Sequence, residues 1–262
     1  MSTKHDALTE TDMQRFRMNP ALLGRIREHA QRREPAAGAL RILDWGCGRG
    51  RSVALLRQEG LEAFGLDIDR AVLRNGHDLF HARGLDPEQL LRHIDDVGAF
   101  EDGAFDAVFS EETLEHVADL AAVARESFRL LRPGGLAVHS FPGSRWLVEP
   151  HVHMPLVHWL PQGGLRRLLI RLCLLLGFGP RPPWPEAGDN LRRQLDVYDR
   201  YLAEKTAYRP REEVMATFVR AGFAGRWLDA PPAAGWRRLL PAGLRDNGFP
   251  AGHLLLQLVK PT

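Results

Sequence analysis

Between Trp146 and Pro161 the chain reads WLVEPHVHMPLVHWLP, which packs Glu149, His151, His153 and His158 among Trp, Pro and apolar residues. Histidine exchanges a proton near neutral pH, so this stretch can supply a general base. The plain alternative is a loop whose histidines are hydrogen-bonded or exposed. A second group lies upstream. Glu112, Glu115 and His116 fall at i, i+3 and i+4, which places all three on one side if the segment is helical. Acids there would equally favour the dipole of a first helical turn. The third group is the decapeptide RILDWGCGRG at 41–50. An apolar run ends in Asp44, and Gly46, Gly48 and Gly50 follow at alternate positions around Cys47. Glycine allows a turn with positive φ and a close approach of ligand to backbone. The N–H groups that open the next helix then face an anionic or polar ligand group.

The elements that must position these groups alternate. Strands are expected at 40–45, 62–66, about 90–94, 105–110 and 135–141. Helices are expected at 50–59, about 69–83 and 120–131. That alternation of apolar strands and helices predicts a parallel sheet covered on both faces. Residues 1–39 read as an N-terminal helical arm, with a helix near 21–33 broken at 35–38. The rhythm stops at 142–208, which is too long for a simple loop and reads as an inserted cap with helical patches at 164–177 and 191–205. It resumes with a helix at 211–221, a strand at 223–229, a loop at 231–250 and a last strand at 253–259. The division expected is therefore arm 1–39, core 40–141, cap 142–208, and completion of the sheet at 209–262.

The glycine spacing is not the G-x-G-x-x-G of dinucleotide folds, because Arg51 follows Gly50. The pattern D-x-G-x-G-x-G after a strand instead resembles motif I of the class I S-adenosylmethionine (SAM) methyltransferases, and the chain looks most like their small-molecule branch. Four further segments carry the resemblance. GLDID at 65–69 is similar to the acidic end of the second strand. It implies Asp67, with Ile68 beside it, for the ribose, about 20 residues past the glycines; the alternative is a helix N-cap, which Asp69 could supply equally. HIDDV at 93–97 implies that Asp95 or Asp96 accepts from the adenine amino group, with Asp95 preferred, and that Val97 offers a backbone contact. SEETLEHV at 110–117 resembles the segment beside the methionine part of SAM and implicates Ser110 and Glu111. LLRPGG at 130–135 is similar to the turn before the fifth strand. Asp44, Gly46, Cys47, Gly48 and Gly50 complete the implied cofactor set.

The resemblance implies a doubly wound, Rossmann-like α/β fold of seven strands with a final antiparallel strand and a helical cap inserted after strand five. It implies methyl transfer from SAM to a small-molecule acceptor, with oxygen as the expected atom. The protein would align the acceptor, exclude water and remove a proton. The acceptor region would be 142–208, where E-x-H-x-x-x-P-x-x-x-W-L-P is similar to stretches in some bacterial methyltransferases, and Glu149, His151, His153 and His116 are the catalytic candidates. E-x-x-E-H also resembles ubiquinone-biosynthesis and small-RNA 2′-O-methyltransferases, in which such residues help hold a divalent metal. No metal is expected here; were one bound, Glu112, Glu115 and His116 would hold it, with His151 or His153 as the missing ligand. The alternatives are a SAM-binding protein without turnover and a metal-assisted RNA methyltransferase.

A net charge of +2 with 26% charged residues offers no concentrated basic surface, which argues against a nucleic-acid partner. The acceptor expected is a glycan, lipid or secondary metabolite. The two cysteines, Cys47 and Cys173, have no partner at metal or redox spacing. The N-terminus lacks a signal-peptide core, and 165–178 is too short and too charged to span a bilayer, so a cytoplasmic protein is expected. The segment GGLRRLLIRLCLLLGFG at 163–179 reads as a helix packed on the core or on a second copy in a homodimer. Its basic patch and apolar face also suit a membrane surface or a lipidic acceptor. Tyr198, Tyr201 and Tyr208, the only tyrosines, line the acceptor site or fill space between cap and core.

Overall fold

The strands of the core follow from short apolar runs, each ended by a turn residue or a helix cap. A computed structural model describes residues 6–32, 38–228, 241 and 252–262. In chain order the first elements are α1 (Glu10–Arg15), α2 (Pro20–Gln31), β1 (Arg41–Trp45), α3 (Arg51–Gln58), β2 (Glu62–Asp67), α4 (Arg70–Ala82), α5 (Pro87–Leu90), β3 (Leu91–His93), β4 (Phe105–Glu111), α6 (Leu120–Leu130) and β5 (Leu131–Pro142). The hairpin β6 (Val148–Glu149) and β7 (Met154–Pro155) follows, then α7 (Gly164–Leu175), α8 (Leu191–Glu204), α9 (Arg211–Arg220), β8 (Ala224–Trp227) and β9 (His253–Val259). The expected end of a strand at Asp229 and, but for Pro241, the loop 231–250 lie outside the described residues, as do Arg33 and most of the break at 35–38.

Seven strands form one sheet in the order β3-β2-β1-β4-β5-β9-β8. β1 to β5 pair parallel, while β9 runs antiparallel to both β5 and β8. This is the doubly wound, Rossmann-like sheet expected. Alternate strand residues face opposite layers. Ile42, Ala107, Phe109 and Val138 join α2, α3 and α4 in one core cluster. Leu43, Phe105, Val108 and Ala137 join α6 and α9 in the other.

The segment expected as a turn before the fifth strand lies inside its ladder. Phe105 pairs with Leu131 and Ala107 with Leu136, so residues 132–135 bulge out of register. Gly134 takes φ +75°. Gly135 has no room for a side chain, since a Cβ would sit 2.8 Å from the Arg132 carbonyl. The bulge is anchored by Arg132, which donates to Asp106 at 2.7 Å.

The N-terminal arm is part of the core. Leu8, Met13, Met18, Leu22 and Ile26 are buried in the first cluster. Arg49, itself buried, donates to the Asp6 carbonyl at 2.9 Å. The cap has a cluster of its own, built from Val152, Met154, Val157, Ile170, Cys173, Ala187, Tyr198 and Leu202. Here the expected basic patch is corrected. Arg166 is buried and donates to Asp199 at 2.7 Å, and Arg167 pairs with Asp196 and Asp199. Two of the arginines of α7 therefore tie it to α8. Tyr198 belongs to the cap core and does not line an acceptor site.

Candidate active site

The carboxyl ends of β1, β2 and β4 meet at one edge of the sheet. Each glycine of the turn after β1 has a positive φ, but for different neighbours. A Cβ on Gly46 would lie 2.3 Å from Thr113, and one on Gly50 2.7 Å from Leu91. Gly48 alone opens onto free space, with only Val72 at 3.9 Å. Gly48 thus carries the open approach that a ligand needs, while Gly46 and Gly50 serve packing. The Cys47 side chain is turned inward under Gly65, and burial pushes its thiol well above the usual range.

Asp67 ends β2. Its Oδ2 accepts from the Gly48 N–H at 2.8 Å and its Oδ1 from the Asp69 N–H at 2.9 Å. Asp69, not Asp67, caps α4 through Ala71 and Val72. The Ile68 side chain beside it is 79% exposed, the most of any large apolar side chain among the described residues. Asp95 lies 3.0 Å from His93 Nδ1 and 3.4 Å from Arg70, with Asp96 exposed next to it. The carbonyl of Val97 accepts from Arg129 and from the Phe100 N–H.

Asp44 is buried. Burial first, then the nearby carboxylates of Glu111 and Asp67, push its pKa well above the usual carboxylate value. Burial likewise raises Glu111. Three acids converging on a glycine turn leave a site that a cationic ligand would relieve. Glu111 Oε1 accepts from the Asn19 N–H at 2.9 Å, and Asn19 reaches on to Ser140. Asn19 was not foreseen as a site neighbour. Its local signature is only an N-cap before Pro20, and nothing in the sequence couples it to a residue 92 positions away. The Ser110 hydroxyl is fully buried against His139 Nδ1 at 2.8 Å, so its side chain is engaged within the core.

The acid–His group is also rearranged. The segment after β4 is not an α-helix. Glu112 sits at φ +54°, and only Leu114–His116 forms a short 3-10 turn. Glu112 is therefore turned away from Glu115 and His116, and its Oε1 lies 2.6 Å from His253 Nε2. His151 takes the vacated place. Glu115, His116 and His151 each bring one ligand-type atom to within 4.8 Å of the others, and the His116 and His151 rings lie 4.8 Å apart. His153 points elsewhere, exposed at φ +53°.

Glu149 organises the group from a fully buried position. It accepts from the His151 N–H at 2.7 Å, from His151 Nδ1 at 2.7 Å, from the Val152 N–H and from Tyr208 Oη at 2.7 Å. Burial alone would raise its pKa, but the bonds from His151, Tyr208 and Val152 outweigh that and hold it below the usual carboxylate value. An ionised Glu149 only accepts, so His151 Nδ1 must carry the proton and Nε2 is left as the ring's acceptor. Tyr201 stands 5.7 Å from the His151 ring. Burial, then Glu149, pushes the Tyr208 phenol far up, so it stays a donor.

Glu115 is the unmet need of the site. Both its carboxylate oxygens are buried without a hydrogen-bond partner. Burial, then Glu112 and Glu149, raises its pKa well above the usual value. His158 has both ring nitrogens buried and unpartnered, and burial pulls its pKa down to about 4.

Residues 43–139 match the family model described as a methyltransferase domain. Among curated proteins the chain is similar to ubiquinone biosynthesis O-methyltransferases. That of Ralstonia nicotianae is 36% identical over 120 residues, 45% of this chain and 48% of the relative. That of Psychrobacter arcticus is 32% identical over 117 residues, 43% and 45% of the two chains. The chain thus spans about half the length of the curated relatives it matches. Among solved structures it resembles an S-adenosylmethionine dependent methyltransferase from Mesorhizobium loti, with a TM-score of 0.51 at 20% identity over 92% of this chain and 98% of that one. It also resembles geranyl diphosphate C-methyltransferase from Streptomyces coelicolor, solved with Mg2+, geranyl diphosphate and S-adenosyl-L-homocysteine. There the TM-score is 0.53 at 15% identity, over 92% of this chain and 79% of that one.

Proposed function

We propose that this chain, which carries a class I methyltransferase domain over residues 43–139, binds SAM at the Gly48 edge and transfers its methyl group to a hydroxyl of a small molecule held under the cap. The family match and the relatives support the reaction class. The observation that carries the role of the cap is the Glu149–His151 pair at 2.7 Å. A buried carboxylate that fixes the Nδ1 proton leaves Nε2 to accept one, the orienting logic of carboxylate–histidine pairs in acid–base catalysis. The cap meets the cofactor edge through a continuous set of contacts. Thr113 abuts Gly46, the next turn holds Glu115 and His116, and His116 Nδ1 bonds the Lys205 carbonyl at 2.6 Å.

SAM fits what the edge presents. Its cationic groups answer the convergent Asp44, Glu111 and Asp67, its ribose suits the acid at the end of β2, and Ile68 offers an apolar face for the adenine. SAM supplies an activated methyl, so the protein's work is to orient the acceptor oxygen, exclude water and take its proton. We assign that proton to His151 Nε2, with Glu149 and Tyr208 as positioning residues. His151→Ala should leave SAM affinity, read by calorimetry, within about twofold while cutting turnover on an identified acceptor by about 10²-fold or more. Unchanged turnover would make the cap histidine structural.

The orphaned oxygens of Glu115 support a second reading. Glu115, His116 and His151 would hold a divalent ion, with the Lys205 carbonyl and Glu149 bracing the two rings. Such an ion binds an acceptor oxygen and lowers its pKa. The two readings exclude each other at His151. Titration of Mn2+ into the protein without acceptor separates them: one strong site lost in Glu115→Gln supports the metal, and no heat supports the base.

A further inference from the structure

The face of α7 that looks away from the cap core has no counterpart in the methyl-transfer reading. Among the described residues, eleven large apolar side chains are exposed, and six of them fall between residues 165 and 178. Leu165, Leu168, Leu172 and Leu175 recur at i, i+3, i+7 and i+10, so they form one stripe along the helix. They are 67, 53, 47 and 62% exposed. Leu176 and Phe178 extend the stripe past the helix end. The opposite face is satisfied, since Arg166, Ile170 and Cys173 are buried in the cap. The stripe is thus not a packing face that faces the wrong way; α7 has one face for the cap and a second for something else.

The charge pattern says what that is. Residues 150–185 contain four arginines and no aspartate, glutamate or lysine. Arg166 and Arg167 are neutralised by Asp199 and Asp196 of α8. Arg171 flanks the stripe and Arg181 follows it, both exposed. An apolar stripe with arginine beside it and no carboxylate suits the boundary between anionic lipid headgroups and acyl chains, where arginine reaches outward to phosphate while leucines enter the apolar layer. A second copy of the chain is a poorer match. A two-fold contact pairs the surface with itself, and this stretch offers its arginines no acid.

We propose that the outer face of α7 docks the protein on the surface of an anionic bilayer. Docking does not depend on the methyl-transfer reading. It would place the Glu149–His151 pair, which shares the cap with α7, next to a membrane-borne acceptor.

The test is co-sedimentation of the whole protein with phosphatidylglycerol-rich vesicles and with phosphatidylcholine vesicles, beside sedimentation velocity without lipid. The expected result is retention on the anionic vesicles that is at least about tenfold stronger than on neutral ones and weakens with salt. Leu168→Glu with Leu172→Glu should abolish it. Arg171→Glu with Arg181→Glu should remove the preference for anionic lipid. Both double variants change exposed residues, and unaltered circular dichroism and SAM affinity would show that they fold. Absence of retention at low salt overturns the proposal. So does a dimer that Leu168→Glu with Leu172→Glu dissociates, which would assign the face to a second copy. Failure of the histidine variants to change turnover would leave this result untouched.

Discussion

The cofactor edge and the cap are built from opposite materials. At the edge, backbone does the work: a glycine turn, the ends of three strands and the N–H groups around Asp67. Its members are close in sequence or joined by a strand register that the parallel sheet enforces. In the cap, side chains from distant segments come together around Glu149. Glu149 and His151 come from the hairpin, Tyr208 from beyond α8, and Glu115 and His116 from the turn after β4. On the proposed reading the edge serves the cofactor and the cap the acceptor, so changes in the cap would leave the sheet undisturbed.

Substitutions should break the two regions differently. The largest effect is expected at Gly48. Gly48→Val should show no SAM binding by calorimetry even where it remains folded, because its side chain enters open ligand space, while the positive φ of +56° adds a cost in stability. Gly50→Val, two residues on, should instead lower the melting temperature, since its Cβ would meet Leu91 and Phe80. If folded Gly48→Val binds SAM as tightly as the unaltered protein, the edge is not a ligand site. Next comes Glu149→Leu, which strips a buried acceptor from His151, Val152 and Tyr208. It should cost about 1–3 kcal/mol for each donor left buried without a partner, and hydrogen exchange should rise in the cap while the sheet stays protected. Uniform loss of protection would mean that cap and sheet unfold as one unit.

A third effect is read by pH. Burial holds His139 neutral down to about 3. Between the unfolded value near 6.5 and that folded value, the unfolded chain binds the extra proton. Stability should then fall by about 1.4 kcal/mol for each pH unit below 6.5. Chemical denaturation of His139→Asn should show a shallower slope, and an equal slope would remove His139 as the cause. The smallest effect is expected at the His253–Glu112 pair. Both side chains are about 40% exposed, so screening leaves His253→Ala a cost below about 1 kcal/mol. A larger loss would show that the pair sets the shape of the turn after β4.

How much was legible in the sequence follows the same division. The strand at 253–259 and the helices of the core are where periodicity and caps place them, because apolar spacing and residues such as Asp69 act locally. The bulge at 132–135 reads as a turn in the sequence because Pro-Gly-Gly looks the same in both settings. The spacing of Glu112 and Glu115 puts them on one side only if the segment is helical, and the positive φ of Glu112 breaks that condition. Asn19, and the bond of Tyr208 to Glu149, depend on packing between distant segments. Spacing along the chain carries no record of that.

The position of β9 has a consequence for how the sheet is completed during synthesis. β9 lies between β5 and β8, although it follows both in the chain. Until residues 253–259 leave the ribosome, β5 presents an open, parallel-sheet edge whose residues 136–142 are all buried in the finished protein, and β8 has no partner at all. An exposed edge of that kind is a template for pairing with another chain. A nascent chain stalled before His253 should therefore be the species most in need of a chaperone.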